Sequence, residues 1–123
     1  MREANRDLFR LRHILSAMEN VNLFMIDKSL DDLAKDAILY YAVVKNVEII
    51  GEAAYKLSKE FIDSHPSTPW NLIIKMRHIL VHGYYQVEAD QLYEVYREDI
   101  PLLIPQIEGY IKELSETGKA DNA

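Results

Sequence analysis

The strongest constraint on the fold is a long apolar stretch between Asp36 and about Phe61. Residues spaced three or four apart define one face of a helix: Ala37, Tyr40, Tyr41, Val44, Val47, Gly51 and Ala54. Further apolar residues widen that surface around the cylinder: Ile38, Leu39, Val43, Ile49 and Ile50. A helix that is apolar on most sides must be covered on most sides. The pattern therefore predicts a central helix, placed inside a bundle or at an oligomer interface.

Two shorter segments before this stretch are also typical of helices. Between Arg6 and Phe24 one apolar face repeats at helical spacing: Leu8, Leu11, Ile14, Leu15, Met18, Val21 and Met25. Ser29 followed by Asp32 is a capping-box pattern with Asp in place of Glu. A second helical segment is therefore predicted to begin near Ser29.

After the central stretch, "SHPSTPW" interrupts the apolar pattern. Thr68 is a candidate cap for a new helix that we expect to run from Trp70 to about His82, with Gly83 at its end. A last helical region is expected from about Glu88 to Leu114. Pro101 should kink or restart it, with Asp99 as a possible cap.

The fold class predicted from these patterns is all-α. No alternating strand pattern or internal repeat stands out, and short connections between amphipathic helices favour an up-and-down bundle of four or five helices. We expect one domain over residues 1–115 and a frayed C-terminal tail over residues 116–123.

Charge and composition limit the classes of partner. The net charge is -6, which argues against a broad nucleic-acid-binding surface. From Ser64 to Val87, however, there is no Asp or Glu, and this window contains Lys75, Arg77 and three of the four histidines. The chain has no cysteine, no long apolar run and no signal-peptide pattern, so we expect a cytoplasmic protein with no membrane partner.

The four letters "RHIL" occur twice, at residues 12–15 and 77–80, but only the second copy continues to a further histidine. Arg77 and His78 are followed by His82 and Tyr84, whereas His13 has no such companion and is interpreted as a surface or core residue. Histidines near a helix C-terminus can simply stabilise the helix dipole. A His-x3-His pair also has metal-ligand spacing, but the window offers no acid or Cys as a third ligand.

A third interpretation of the second copy is phosphodiester chemistry. Histidine titrates near pH ~6.5 and can move a proton at neutral pH. Arginine offers a planar, permanent charge that binds phosphate oxygens. Together they can assist attack of a ribose 2′-hydroxyl on its own phosphate without a metal. This reaction requires both a general base and a general acid. One histidine in each chain of a symmetric dimer would supply the two groups.

The segment "RHILVHGY" carries the R-x4-H-x-Y signature and resembles HEPN-domain toxins of the HepT family. The resemblance covers most of the chain. "RDLFRLRHILSAM" is similar to the family's first helix, "AVVKNVEIIGEAAYKLS" to its central helix, "PWNLIIKMRHILVHGYY" to the segment with the site, and "DIPLLIPQI" to the last helix.

The resemblance implies a homodimeric helical bundle whose two sites meet in a cleft. It implies a metal-independent endoribonuclease that needs no cofactor and has RNA, not DNA, as its substrate. By position, Arg77 and His82 become the catalytic pair, and His78 takes a polar place where Asn is more frequent in the family. We assign Glu52 a supporting role from the sequence itself, because a carboxylate within an apolar stretch needs a partner, and Arg77 or Lys45 could serve.

HepT proteins are also similar to toxins of type VII toxin–antitoxin systems that are paired with MntA, a minimal nucleotidyltransferase antitoxin that uses ATP and magnesium. MntA transfers AMP to the motif tyrosine, so the resemblance makes Tyr84 the modified residue. It allows a hetero-oligomer of toxin and antitoxin besides the homodimer. Tyr85 is assigned to packing. An alternative is a non-catalytic subunit that binds substrate or nucleotide for a nucleotidyltransferase. The acidic net charge fits such a subunit at least as well as it fits a nuclease.

Overall fold

The computed structural model describes residues 2–78 and 85–122, and these residues form helices joined by short turns. The α-helices are α1 (Arg2–Met25), α2 (Leu30–Lys35), α3 (Ala37–Tyr55), α4 (Lys59–Ser64), α5 (Trp70–Lys75), α6 (Tyr85–Glu94) and α7 (Ile100–Asn122). A 3-10 turn, Met76–His78, follows α5, and a π-helical turn, Val95–Asp99, joins α6 to α7. The described residues contain no strand, so the predicted all-α bundle is confirmed.

Helix α3 is the centre of the bundle, as its apolar pattern predicts. It packs against α1, α2, α5, α6 and the 3-10 turn, while α1 also packs against α7. Its inward side chains, among them Tyr40, Val43, Val47 and Ile50, are fully buried. The core that they form with α1 and α7 is one continuous cluster, so each of these helices is fixed by burial of an apolar face.

The central helix ends earlier than predicted. The expected segment from Asp36 to about Phe61 is divided between α3 and α4, and Ser58 caps α4 by accepting a hydrogen bond from the amide of Phe61 at 3.1 Å. Asp7 of α1, which is buried, accepts hydrogen bonds from the Ser58 amide at 2.8 Å and from the Ser58 hydroxyl at 2.7 Å. The break between α3 and α4 is therefore fixed by a carboxylate from a distant part of the chain, and the apolar spacing of the sequence cannot predict such a contact.

The capping box at the start of α2 is confirmed. Ser29 and Asp32 exchange hydrogen bonds between side chain and backbone at 2.8 and 3.1 Å. The backbone hydrogen bond from Ser29 is the main cause that lowers the pKa of Asp32, because it stabilises the carboxylate form.

The predicted cap at Thr68 is wrong. Helix α5 begins after Pro69 without a side-chain cap, and the buried Thr68 hydroxyl bonds to Gln106 and Tyr110 of α7 instead. The α-helix ends at Lys75 and tightens into the 3-10 turn Met76–His78. The predicted end of this helix, at about His82 with Gly83 after it, lies outside the described residues.

Of the two outcomes predicted at Pro101, a kink or a restart of the helix, the restart is not found, and the cap predicted at Asp99 is wrong. Helical structure runs without a break from α6 through the π-helical turn into α7, so Asp99 has no free helix N-terminus to cap. Pro101 lacks the N–H that an unbroken α-helical ladder requires, and the turn before it, Val95–Asp99, is π-helical. Burial is the main cause that raises the pKa of Asp99, and the nearby charges of Glu94 and Glu98 raise it further.

Helix α7 continues to Asn122, and the proposed domain end at residue 115 stays a prediction. Within the described ranges, no helix is both long enough and apolar enough to cross a lipid bilayer.

Candidate active site

Gly51 brings α3 into direct contact with the backbone that carries Arg77. A Cβ atom placed on Gly51 would lie 2.8 Å from the carbonyl carbon of Met76 and 2.9 Å from the Cα of Arg77, and still closer to the Arg77 nitrogen. Real side chains essentially never show such distances, so a residue larger than glycine would push the two segments apart. The position of Arg77 over α3 therefore depends on the missing side chain of Gly51.

The Arg77 guanidinium lies over the ring of Tyr55, with its central carbon 3.5 Å from the ring centroid. One of its terminal nitrogens, Nη1, is 3.7 Å from a carboxylate oxygen of Glu52. Glu52 and Tyr55 are three residues apart on α3 and so share one face of that helix. A cation–π contact and an ion pair thus hold the guanidinium in place from two directions.

His78 completes the group of polar side chains around Arg77. Its Nε2 accepts a hydrogen bond from the Arg77 Nε at 3.1 Å, and its ring is exposed. Among the sequence-predicted site residues, the structure therefore brings together Arg77, His78 and Glu52. His82 and Tyr84 lie outside the described residues, and their roles stay predictions.

The Arg77 side chain borders an open cleft of about 210 Å³, whose other lining residues are Lys45, Glu48, Ile49 and Glu52. Arg77 is only 23% exposed, yet it reaches this cleft. The cleft therefore combines two cations and two carboxylates beside an apolar patch. Among the residues that the structure describes, no group of three or more His, Cys, Asp or Glu has the arrangement of a metal site.

The segment that carries the motif is anchored to α3 on both flanks. On one side Gly51 contacts the 3-10 turn. On the other side the buried hydroxyl of Tyr40 donates a hydrogen bond of 2.7 Å to Glu88 of α6. Both contacts lie on one helix, so Arg77 and Glu88 are each held against α3.

Sequence reasoning missed Tyr55, because Tyr84 was the only tyrosine that it placed at the site. A signal was present: Tyr55 follows Glu52 by three residues, and Glu52 was already assigned to support Arg77. That Tyr55 would turn toward Arg77 is a result of packing between α3 and the 3-10 turn.

Comparison with known proteins decides the family. The model of the family described as "Ribonuclease HepT-like" matches residues 14–110, which include the whole of α3 and the complete R-x4-H-x-Y segment. The chain belongs to the HepT-like ribonuclease family. The family resemblance inferred from the sequence is therefore confirmed.

Relatives with similar sequences occur in bacteria and archaea. A protein named "Putative RNase" from Caldanaerobacter subterraneus is 38% identical over 89% of this chain and 94% of its own length. A "Probable ribonuclease HepT" from Thermococcus cleftensis is 33% identical over 84% of this chain and 92% of its own length. No solved structure gives a significant match.

One further relative is a larger protein. A "Gamma-glutamylcyclotransferase and putative RNase" from Methanocaldococcus jannaschii is 36% identical over 86% of this chain. The matched region spans about half of that relative, 48% of its length.

The contact at Gly51 predicts a specific defect for Gly51→Ala. The added methyl group overpacks the interface with the 3-10 turn, so we expect a loss of roughly 1–3 kcal/mol in the free energy of unfolding, measured by urea denaturation. The Arg77 guanidinium should also leave the Tyr55 ring, which the Arg77 Nε–Hε signal in NMR spectra would report as a loss of its ring-current shift.

Gly109→Ala is the matched control, since nothing lies within 4 Å of a Cβ at that exposed position of α7. It should stabilise the fold by about 0.5–1 kcal/mol, because alanine is the better helix former. If Gly51→Ala behaves like Gly109→Ala, the close approach does not fix Arg77.

Proposed function

We propose that this protein is a metal-independent endoribonuclease in which Arg77 and His82 act on an RNA phosphodiester. The observation that carries the proposal is the Arg77 guanidinium, which is held by Tyr55 and Glu52 at the border of an open cleft. Membership in the HepT-like ribonuclease family supports RNA as the substrate. A positioned guanidinium suits a phosphate because its planar donors match two phosphate oxygens.

The reaction that these groups fit is an internal transfer. A histidine removes the proton of the ribose 2′-hydroxyl, whose oxygen attacks the adjacent phosphorus. Arg77 stabilises the charge that develops on the phosphorane oxygens. The bond to the 5′-oxygen then breaks, and a second histidine protonates this leaving group. The products are a 2′,3′-cyclic phosphate and a 5′-hydroxyl, so atoms and charge balance without water.

The need for two histidines leads us to propose a homodimer, in which His82 of each chain serves one role. One apolar side chain on α3 supports a contact there: Ile38 is 85% exposed and lies on the same helix as the residues that line the cleft. A second copy that covers Ile38 would remove this large apolar surface from water. An isologous contact of this kind pairs the same patch on both chains.

We also propose that the protein is the toxin of a type VII toxin–antitoxin system, controlled by AMP transfer to Tyr84. A cognate MntA-like nucleotidyltransferase with ATP and magnesium would be the modifying partner. Tyr84 lies two residues after His82 in the R-x4-H-x-Y motif. An adenylyl group carries a phosphodiester charge that can pair with Arg77 and a nucleoside that competes with RNA for the cleft.

The nuclease proposal predicts cleavage of RNA in excess chelator, with cyclic phosphate ends identified by mass spectrometry. Arg77→Ala and His82→Ala should each lower the cleavage rate by about a hundredfold or more while the far-ultraviolet circular dichroism is unchanged. Arg12→Ala is the control, because its exposed guanidinium reaches Ser115 and not the cleft. No cleavage by folded protein with unmodified Tyr84 would favour the alternative, a non-catalytic binding subunit.

The dimer proposal predicts a two-chain mass by light scattering at micromolar concentration. Ile38→Glu should shift the protein toward the monomer and lower cleavage at equal chain concentration, since it places a charge in the contact. Leu102→Glu is the control, because Leu102 is also exposed, at 71%, but lies on α7. A monomer that cleaves RNA at the full rate rules out the two-histidine mechanism.

The switch proposal predicts that an MntA-like partner adds AMP at Tyr84 and not at Tyr85, as found by peptide mass mapping. Tyr84→Phe should remain an active nuclease but escape silencing by the partner, because it lacks the acceptor hydroxyl. Label on Tyr85, or a Tyr84→Phe protein that the partner still silences through catalysis, would overturn the switch and leave the nuclease proposal standing.

A further inference from the structure

The cleft at Arg77 continues across α3 into a second depression. This second depression has a volume of about 80 Å³ and is lined by Arg10, His13, Ile49, Glu52, Ala53 and Lys56. Ile49 and Glu52 line both depressions, so the two form one surface that runs from the 3-10 turn over α3 to α1. We call this continuous surface the α1–α3 track.

The α1–α3 track is basic although the chain is acidic. The described residues that line it include the cations Arg10, Lys45, Lys56 and Arg77 and the carboxylates Glu48 and Glu52, and these six side chains carry a net charge of +2. The whole chain has a net charge of -6. Within the part of the chain that the structure describes, folding therefore gathers positive charge around Arg77.

Another, larger depression has the opposite character. It measures about 340 Å³, and its lining includes Asp7, Glu60, Glu113 and His65. The described residues that border it include no Lys or Arg. Phosphate groups would be repelled there, since three carboxylates face them. Size alone would favour this larger depression, but charge selects the α1–α3 track as the surface for a polyanion.

The cations of the track are available to an external anion. Neither Arg10 nor Lys45 forms an ion pair with any residue that the structure describes. Lys56 and Arg77 share one carboxylate, Glu52, at 3.8 and 3.7 Å. One negative charge between two positive charges leaves the pair with a net positive charge.

An exposed aromatic side chain borders the track on α1. Phe9 is 61% exposed, the Arg10 guanidinium lies 5.4 Å from its ring centroid, and the His13 ring lies 6.1 Å from it. An exposed ring beside cations is typical of surfaces that bind single strands, because unpaired bases stack on the ring while phosphates pair with the cations. A duplex hides its base faces and could not use Phe9 in this way.

We propose that a single-stranded RNA segment lies along the α1–α3 track, with phosphates at Arg10, Lys56 and Lys45 and one base stacked on Phe9. This inference rests on the proposed function, because it extends the path of the RNA whose scissile phosphate Arg77 contacts. It also gives a role to the first "RHIL" copy: His13 belongs to this copy, lines the track and can donate a hydrogen bond to a phosphate oxygen.

The test measures binding without cleavage, with a 2′-O-methyl RNA oligonucleotide that cannot undergo internal transfer. For single strands, the logarithm of the binding constant falls with the logarithm of the salt concentration by about 0.7 for each phosphate contact. Arg10→Gln and Lys45→Gln should each reduce this slope by about 0.7, and the double variant by about 1.4. Each single change should weaken binding about threefold to fivefold at low salt.

Arg12→Gln is the matched control, because it removes the same charge two residues away on α1, where the guanidinium reaches Ser115 of α7. It should leave the salt slope unchanged. A slope that falls equally for Arg10→Gln and Arg12→Gln would mean that only the total charge matters, and it would overturn the inference.

The aromatic contact has a separate readout. Phe9→Ala should weaken binding of the 2′-O-methyl RNA about tenfold and leave the salt slope unchanged, since stacking involves no counterion release. Leu23→Ala, a change at another exposed apolar residue of α1, is the control and should have no effect. Equal binding by both variants would remove Phe9 from the path.

The outcome can be separated from that of the nuclease assay. If the protein binds RNA through Arg10 and Lys45 but cleaves nothing, the track is supported and the nuclease proposal fails. If it cleaves RNA while Arg10, Lys45 and Phe9 variants bind as the wild type does, the nuclease proposal stands and the track is wrong. Failure to bind the oligonucleotide at any salt concentration would also overturn the track.

Discussion

The geometry of the candidate site depends on the contact between Gly51 and the backbone of residues 76 and 77. Helix α3 is buried on most sides, so its position is fixed by the core, and the missing Cβ lets the 3-10 turn lie directly on it. That approach puts Arg77 within reach of Glu52, the next residue on α3, and of Tyr55, which lies one turn farther along the same helix. Helix α3, whose position is fixed by its buried apolar side chains, thus also determines where the Arg77 side chain points.

Holding the guanidinium in advance has a chemical consequence. Arginine has a flexible stem, and fixing it in one conformation costs conformational entropy. Because Arg77 is already fixed in the folded protein, binding of the proposed RNA substrate does not have to include that cost. The ring of Tyr55 covers one face of the guanidinium and Glu52 faces one terminal nitrogen, while the cleft remains open beside them. A donor held in place in this way lowers the activation barrier most when it faces an atom whose negative charge increases in the transition state.

Local patterns predicted the parts of the fold that local physics controls. The apolar spacing of α1 and α3 and the capping box at Ser29 were correct, because each depends on residues within one or two turns. The wrong predictions concern polar groups that form a hydrogen bond with a residue far away in the sequence. Asp7 accepts a hydrogen bond from Ser58, the residue that caps α4, and the central helix ends before it. The Thr68 hydroxyl bonds to two side chains of α7 and therefore does not cap α5.

The sequence by itself determined the helical class, the central position of α3 and the R-x4-H-x-Y motif, since periodicity and short motifs are properties of neighbouring residues. Only the tertiary structure decided that Tyr55 lies under Arg77 and that Arg10 of α1 lies on the same surface. The net charge of -6 pointed away from a nucleic-acid surface, yet packing gathers four cations around two carboxylates in the α1–α3 track. The physical reason is that side chains from separate helices meet only through packing, which no spacing along the chain records.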